Sequence, residues 1–196
     1  MKLQIATEAF VLAGGKSSRM GEDKGLIPFQ GRPMIAHVLE TLEKTGLPIK
    51  IIANNKAYEQ FRYPVVSDVV QEKGPLGGLL TAYKNTLANQ ILVMSCDMPF
   101  IQEEIILKLV GEAGKQNIVI YQDEGRIYPL PGIYPVDLRG EVEDRIAAKR
   151  LKMQDFISEN RHTLVPSGDG KNTLFFRNIN TPEDLKEAEE QWSKLR

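Results

Sequence analysis

The chain is poor in the residues that build disulfides and metal sites. Cys96 is its only cysteine, so it forms no internal disulfide, and a reducing cytoplasm is the simple expectation. The two histidines stand far apart, which excludes a conventional zinc site. No stretch is apolar enough to cross a membrane, and residues 1–8 lack the apolar core of a signal peptide. We therefore expect a cytoplasmic protein with no membrane partner.

An excess of charge of either sign is also missing. Lys and Arg together number 25, Asp and Glu 26, and the net charge is −1. No global field is available to hold nucleic acid or an anionic membrane, so basic groups that bind a ligand must act locally. The length of 196 residues suits one sizeable core and is short for two, and we expect a single domain over residues 1–196.

A glycine-rich segment follows the apolar run 9–12 near the start of the chain. It reads Leu12-Ala13-Gly14-Gly15-Lys16-Ser17-Ser18-Arg19-Met20-Gly21-Glu22-Asp23-Lys24. Paired glycines at the end of a strand, followed by hydroxyl and basic residues, build a loop whose backbone N–H groups lie against a phosphate chain. The spacing is not that of a Walker A loop, because Met20 stands where the second glycine is needed. No Gly-x-Gly-x-x-Gly run of a dinucleotide site follows this strand either.

Short β-branched runs alternate with helical patterns along most of the chain. Strands are expected at residues 10–12, 50–53, 65–67, 91–95 and 118–121. Amphipathic helices follow Pro33 and Phe100. This alternation predicts an α/β fold, a three-layer Rossmann-like and mostly parallel sheet with helices on both faces. Ligands bind such sheets at the carboxyl ends of the strands, where the loops gather.

The last third of the sequence is less regular. The proline-rich segment 126–134 predicts an edge or antiparallel strand, helices are expected at 136–148 and 152–158, and residues 174–178 predict a late strand. A final helix begins at Thr181-Pro182, with a capping residue followed by proline. Its apolar stripe is formed by Leu185, Ala188, Trp192 and Leu195.

Two aspartates stand at the ends of predicted strands. Asp97 offers a rigid carboxylate of the kind that Mg²⁺ uses in nucleotide enzymes, together with phosphate oxygens and water. Asp68 stands shortly before Gly74-Pro75-Leu76, a helix start whose free N–H groups suit a ligand. Ordinary turn and helix-start roles are the alternative for each.

Two polar segments of the last third are further candidates. The run Asn178-Ile179-Asn180-Thr181 offers the carbonyl oxygen of Asn180 to a metal or substrate, while capping of the final helix explains part of the same run. Arg150 could meet an anionic acceptor, and a solvated helix end is the alternative.

These motifs together resemble one enzyme family. The order Leu-Ala-Gly-Gly-x-Ser-x-Arg-Met-Gly-x-Asp-Lys, the Asp-x-Pro at Asp97, the Gly-Pro-Leu-x-Gly after Asp68 and the Asn-x-Asn-Thr-Pro from Asn178 resemble the molybdenum cofactor guanylyltransferases. These are nucleotidyltransferases with a glycosyltransferase-A-like fold. The resemblance implies Mg²⁺-dependent transfer of GMP from GTP to the terminal phosphate of molybdopterin.

The resemblance also implies roles for the matching residues. Lys24, Arg19 and Asp97 are the implied catalytic residues, and Asp97 is the implied Mg²⁺ ligand. The implied nucleotide-binding residues are Leu12, Ala13, Gly14, Gly15, Lys24, Asp68, Gly74, Pro75, Leu76 and Asp97. The implied acceptor residues are Asn178, Asn180 and Arg150. The expected partners are GTP, a molybdopterin-type phosphate, other proteins of molybdenum cofactor biosynthesis and apo-molybdoenzymes.

One position departs from the family pattern. Relatives often place an asparagine at the end of the second strand, where this chain has Ala53. Either Asn54 takes the place of that asparagine or the nucleotide contact is missing.

Other functions remain open at this stage. One alternative is a nucleotidyltransferase of the same fold that uses CTP or a sugar phosphate, although the cytidylyl relatives carry alanine in place of Gly14. A non-catalytic GTP-binding accessory protein is the alternative from a different class. A glycosyltransferase is disfavoured because no Asp-x-Asp is present, and Asn55-Lys56-Ala57-Tyr58 lacks the aspartate of the guanine-reading motif of switch GTPases.

Overall fold

The computed structural model describes residues 7–14, 23–114, 116–167 and 173–193. The strands are β1 (Thr7–Leu12), β2 (Pro28–Phe29), β3 (Arg32–Pro33), β4 (Ile49–Ile52), β5 (Val65–Val66), β6 (Gln90–Ser95), β7 (Ile118–Asp123), β8 (Arg126–Pro135) and β9 (His162–Pro166). The α-helices are α1 (Met34–Lys44), α2 (Gly74–Lys84), α3 (Glu103–Glu112), α4 (Arg139–Ala147), α5 (Met153–Ser158) and α6 (Pro182–Trp192). Short 3₁₀ helices cover Lys24–Leu26, Lys56–Phe61, Val136–Leu138 and Thr173–Phe176.

Seven strands form one sheet in the order β5-β4-β1-β6-β8-β7-β9, and β2 and β3 form a separate hairpin. Within the sheet, β1 pairs in parallel with β4 and β6, β4 with β5, and β7 with β9. Only β8 runs in the opposite direction, antiparallel to both β6 and β7. The carboxyl ends of the six parallel strands therefore lie along one side of the sheet, across the strand ends. We call this side the upper edge, as distinct from the outer strands β5 and β9.

Helices cover both faces of the sheet, as the sequence predicts. Side chains alternate along β1, so Val11 joins one core with residues of α1 and α3, whereas Phe10 joins a second core with residues of α2, α4 and α5. A third, smaller cluster forms around Phe29, Phe100 and Ile179, where α6 packs. The three-layer α/β prediction is confirmed. No helix in the described ranges is long and apolar enough to span a membrane.

The strand predicted at 126–134 is antiparallel, but it lies inside the sheet, not at an edge. The reason is a break in the pairing with β7, which passes from Gly132 directly to Tyr128 and leaves out the two prolines between them. The bulge accommodates residues that have no N–H group to donate to a ladder. β8 therefore contains two prolines in its bulge and still pairs with β6 and β7 on either side.

The late strand predicted at 174–178 is wrong. Residues Thr173–Phe176 form a 3₁₀ turn instead. This segment is held by ring packing: the Phe176 ring lies 4.9 Å from that of Tyr121 and 4.6 Å from that of Tyr128. A short apolar run has no periodicity that separates a strand from a packed turn.

Candidate functional site

The upper edge of the sheet gathers the chain segments that follow β1, β4 and β6. The N–H of Ala13 donates to the Ile52 carbonyl at 2.8 Å, and the N–H of Cys96 donates to the Leu12 carbonyl at 3.1 Å. These bonds extend the parallel pairing just beyond the regular strands. Gly14 and Asp97 therefore leave the sheet side by side, as expected for the ligand-binding edge of an α/β fold.

Four of the predicted site residues meet at this edge. Asn178 Nδ2 donates to Asp97 Oδ1 at 2.8 Å, and Lys24 Nζ lies 3.6 Å from Asp97 Oδ2. Lys24 Nζ also donates to Asn180 Oδ1. We call Lys24, Asp97, Asn178 and Asn180 the central cluster. Segments far apart in sequence thus supply one polar site.

Burial explains why the Asp97 carboxylate needs these partners. Its side chain is 8% exposed, whereas that of Lys24 is 24% exposed. A carboxylate that has lost most of its water must be paired and hydrogen-bonded. Asn178 satisfies one oxygen and Lys24 faces the other, so the carboxylate is fixed in one orientation.

The start of α6 sets the position of the two cluster asparagines. The Ile179 N–H donates to the Asp97 carbonyl at 2.9 Å, which ties this segment to the end of β6. Thr181 caps α6, and Asp184 accepts hydrogen bonds from the N–H groups of Asn180 and Thr181. The predicted helix start is confirmed. It also aims Asn180 at Lys24, so capping and cluster formation occur together in one segment.

Lys24 stands in a short 3₁₀ turn that Asp23 precedes. Asp23 accepts hydrogen bonds from Tyr58 Oη and, at 3.2 Å, from Asn55 Nδ2. Gly25 lets the turn lie directly on Tyr58, because a Cβ there would stand 2.4 Å from Tyr58 Oη. The sequence prediction did not include Tyr58 or Asn55 in the site, since an isolated tyrosine carries no pattern that points to a partner 35 residues away.

Asp68 lies at the same edge, beside α2. Its N–H donates to Asn54 Oδ1 at 3.0 Å, and its Oδ1 accepts from Thr81 Oγ1 at 3.3 Å. Burial raises the pKa of the Asp68 carboxyl, and the Thr81 hydrogen bond opposes that rise. Ala53 is buried, whereas Asn54 is exposed and bound to Asp68. Both Asn54, which binds the Asp68 N–H, and Asn55, which binds Asp23, therefore lie at the upper edge.

The α2 start contributes backbone more than side chains. Gly74 has φ +58° and, like Pro75, is exposed, whereas the Leu76 side chain is fully buried in the core. One turn later, a Cβ on Gly78 would stand 2.6 Å from Leu12 Cδ2. Glycine at that position therefore lets α2 pack closely against the end of β1.

The comparison with known proteins assigns this arrangement to a family. The family pattern described as the MobA-like NTP transferase domain matches residues 9–163. The chain belongs to the MobA-like NTP transferase family. Its members are nucleotidyltransferases, and this chain is one of them.

Individual relatives agree with this assignment. A probable molybdenum cofactor guanylyltransferase from Flavobacterium johnsoniae is 34% identical over 179 residues, which cover 91% of this chain and 94% of that protein. The molybdenum cofactor guanylyltransferase of Shewanella sediminis is 32% identical, covering 99% of this chain and 100% of that protein. The crystal structure of molybdopterin-guanine dinucleotide biosynthesis protein A from Archaeoglobus fulgidus superposes with a TM-score of 0.81 at 25% identity, covering 95% of this chain and 99% of that chain.

Arg150, which the family resemblance implies for the acceptor, lies elsewhere in the fold. The Arg150 guanidinium pairs with Glu159 at 2.5 Å, and Glu159 lies shortly before β9 begins, at the edge of the sheet opposite Asp97. Arg150 is therefore not brought together with the central cluster. Gly15 and Arg19 lie outside the described residues.

The central cluster contains one carboxylate, that of Asp97. The described part of the chain holds no group of three or more His, Cys, Asp or Glu side chains that could enclose a metal ion. Members of the MobA-like NTP transferase family act on nucleotides, and Mg²⁺ in such enzymes takes its remaining ligands from phosphate oxygens and water. Asp97 fits that requirement. Its neighbour Cys96 does not compete, because burial and the adjacent Asp97 charge raise the pKa of its thiol.

Proposed function

We propose that this chain transfers GMP from GTP to the terminal phosphate of molybdopterin, giving the guanine dinucleotide form of the cofactor and pyrophosphate. The central cluster carries the proposal: a lysine and a fixed carboxylate meet beside a glycine-rich strand end, in a family of nucleotidyltransferases. The names of the relatives from Flavobacterium and Shewanella support guanine and the molybdenum cofactor as the substrate classes.

The reaction needs placement of charge more than transfer of protons. An oxygen of the acceptor phosphate attacks the α-phosphorus of GTP in line, the bond to the β-phosphate oxygen breaks, and pyrophosphate leaves with its electron pair. Catalysis of such a displacement rests on positioning and on neutralising negative charge. Lys24 is suited to this task because its ammonium group is partly exposed at the upper edge and is held by side chains, not by backbone.

Asp97 is the proposed ligand of Mg²⁺. Asn178 holds the carboxylate in one orientation, and the Asp97 Oδ2 oxygen faces the side of the cluster where Lys24 lies. When bound, Mg²⁺ would neutralise phosphate charge and withdraw electrons from the reacting phosphate. The chain supplies one rigid carboxylate for this purpose, and phosphate oxygens and water are expected to complete the coordination.

We divide the other predicted site residues between the nucleotide and the acceptor. We propose that the nucleotide contacts the backbone of Leu12, Ala13 and Gly14, the start of α2 and Asp68. We also assign Gly15 and Arg19 to the nucleotide because of their place in the sequence motif. Asn178 and Asn180, which contact Asp97 and Lys24, are proposed for the acceptor. The proposal places the reaction in the cytoplasm, with other cofactor-biosynthesis proteins and apo-molybdoenzymes as protein partners.

Release of pyrophosphate with each of the four nucleoside triphosphates tests the proposal. Assays are run with and without molybdopterin and with and without Mg²⁺. We expect release only with GTP, molybdopterin and Mg²⁺ together. Equal turnover of CTP would favour a cytidylyltransferase, and GTP binding with no pyrophosphate release under any condition would favour an accessory binding protein.

A further inference from the structure

The turn that carries Lys24 is attached to the core at the residue just before it. Asp23 precedes the turn, and its carbonyl accepts the Leu26 N–H at 2.9 Å. The Asp23 carboxylate accepts from Tyr58 Oη with one oxygen and from Asn55 Nδ2 with the other. Tyr58 and Asn55 both belong to the segment that follows β4. The carboxylate therefore links the Lys24 turn to a neighbouring part of the upper edge.

Tyr58 is a rigid donor in this link. Its side chain is fully buried in the core formed with α1 and α3 residues. Burial, the nearby Cys96 and the hydrogen bond to Asp23 all raise the pKa of the Tyr58 phenol, so its proton stays in place at neutral pH. Gly25 packs directly against Tyr58 Oη and Cys96 Sγ, with no room for a Cβ. The turn consequently has little freedom to shift over this tyrosine.

Lys24 needs such support because of its own flexibility. Its side chain has four rotatable carbon–carbon bonds, so contacts at Nζ alone do not fix the position of its Cα. Catalytic groups held loosely lose rate steeply, since misplacement of about 1 Å costs as much as a hundredfold. Asp23 is covalently joined to Lys24, so a fixed Asp23 carboxylate fixes the point from which the lysine reaches Asn180 and Asp97.

We propose that Tyr58 is a positioning residue for the reaction. Acting through Asp23, it holds the Lys24 turn so that the ammonium group reaches Asp97 and Asn180. This inference rests on the proposed nucleotidyl transfer for its kinetic consequence, but not for the structural link itself. The Tyr58 hydroxyl donates to Asp23, so its effect should pass through Lys24.

Tyr58→Phe removes the donor and keeps the ring. We expect kcat for GTP-dependent pyrophosphate release to fall about tenfold with KM for GTP changed less than about twofold, as expected when a hydrogen bond to a charged group that orients a transition-state contact is lost. Tyr63→Phe is the matched control. Tyr63 also donates to a carboxylate, that of Glu43, but this pair lies away from Lys24. A Tyr58→Phe enzyme as fast as the Tyr63→Phe enzyme would overturn the proposal.

A double-mutant cycle separates positioning from general stability. If Tyr58 acts through Lys24, then Tyr58→Phe lowers kcat in the wild-type background but causes no further loss in a Lys24→Ala background. An equal loss in both backgrounds would show that Tyr58 supports the fold or another residue, and the proposal would be wrong.

Hydrogen exchange gives a readout that does not depend on activity. The Leu26 and Ile27 N–H groups bond within the turn, to the Asp23 and Lys24 carbonyls. We expect faster exchange of these two amides in Tyr58→Phe and no change in Tyr63→Phe. Unchanged exchange in Tyr58→Phe refutes the link. If the wild-type protein releases no pyrophosphate from GTP, the proposed function fails, whereas the exchange result still decides whether Tyr58 holds the turn.

Discussion

Gly14→Ala tests why a glycine follows β1. The structure shows why an alanine at this position should destabilise the protein. Gly14 has φ +95°, a conformation that residues with a Cβ rarely adopt. A Cβ built there meets nothing closer than the Ala53 Cα at 4.0 Å. The penalty is therefore conformational and not a collision, and left-handed backbone costs an alanine about 1–2 kcal/mol.

The loop of the Gly14→Ala variant can respond to this conformational penalty in two ways, which have different consequences. If the loop keeps its conformation, the free energy of unfolding falls by that amount, and the melting temperature of a domain of this size drops by about 2–8 °C. If the backbone rotates instead, the peptide groups after β1 move relative to the bound nucleotide. We expect the second effect to weaken GTP use by about ten- to two-hundred-fold while changing CTP use less, because displacing the backbone that contacts the preferred base costs about 1–3 kcal/mol of discrimination.

The assay is competition between equal GTP and CTP, combined with thermal denaturation. Gly46→Ala is the matched control, because Gly46 has φ +70° with nothing within 4 Å of its Cβ position and lies between α1 and the start of β4, at the opposite edge of the sheet. It should lower the melting temperature by a similar amount and leave the GTP:CTP ratio unchanged. The reasoning is refuted if Gly14→Ala leaves both quantities unchanged, or if Gly46→Ala shifts the ratio equally.

Three further predictions concern the cluster and the core. Asp97→Asn should keep the fold, with a change in melting temperature of only a few degrees, because the Asn178 hydrogen bond to Oδ1 is retained. The substitution should abolish Mg²⁺-dependent turnover. Near-normal rates at saturating Mg²⁺ would show that Asp97 is not a metal ligand. Lys24→Ala should lower kcat by about 10²–10³, the scale of one preorganised electrostatic contact, and a change in thermal stability alone would make Lys24 a structural residue. Burial raises the pKa of Tyr121 to about 12 from 10.0, so the stability that its neutral form contributes is complete below pH 10 and is lost as pH rises toward 12. Urea midpoints should therefore fall in that range, and less in Tyr121→Phe; an identical decline in both proteins would contradict the assignment to Tyr121.

The sequence predicted most of what depends on local pattern and strand order. Parallel strands must end at one edge, so the residues that follow β1 and β6 were expected to meet there, and Gly14 and Asp97 do. The approach of Asn178 and Asn180 was expected only from the family resemblance. Its physical basis became visible with the backbone bond from Ile179 to the Asp97 carbonyl.

The features that the sequence did not specify have a common physical origin in contacts that no local pattern records. The interior place of β8 depends on a bulge, because an unbroken ladder would have required N–H groups that its prolines lack. The family resemblance implies Arg150 at the acceptor, whereas its guanidinium pairs with Glu159, which lies shortly before β9 begins at the other edge of the sheet. Tyr58 was missed for a similar reason, since its role is defined by Asp23, which lies far away in sequence.

Helix α6 helps to position the two asparagines that contact Asp97 and Lys24. The family pattern matches residues 9–163, so Asn178 and Asn180 lie beyond it, yet they provide the amide that orients Asp97 and the oxygen that receives Lys24. Their positions depend on the Thr181–Asp184 capping box and on packing of α6 against the Phe29 and Phe100 cluster. A change that loosens α6 would thus release Asn178 from the buried Asp97 carboxylate and Asn180 from the partly exposed Lys24 ammonium group. Stability of the terminal helix and orientation of the proposed catalytic groups are for this reason coupled through residues 178–184.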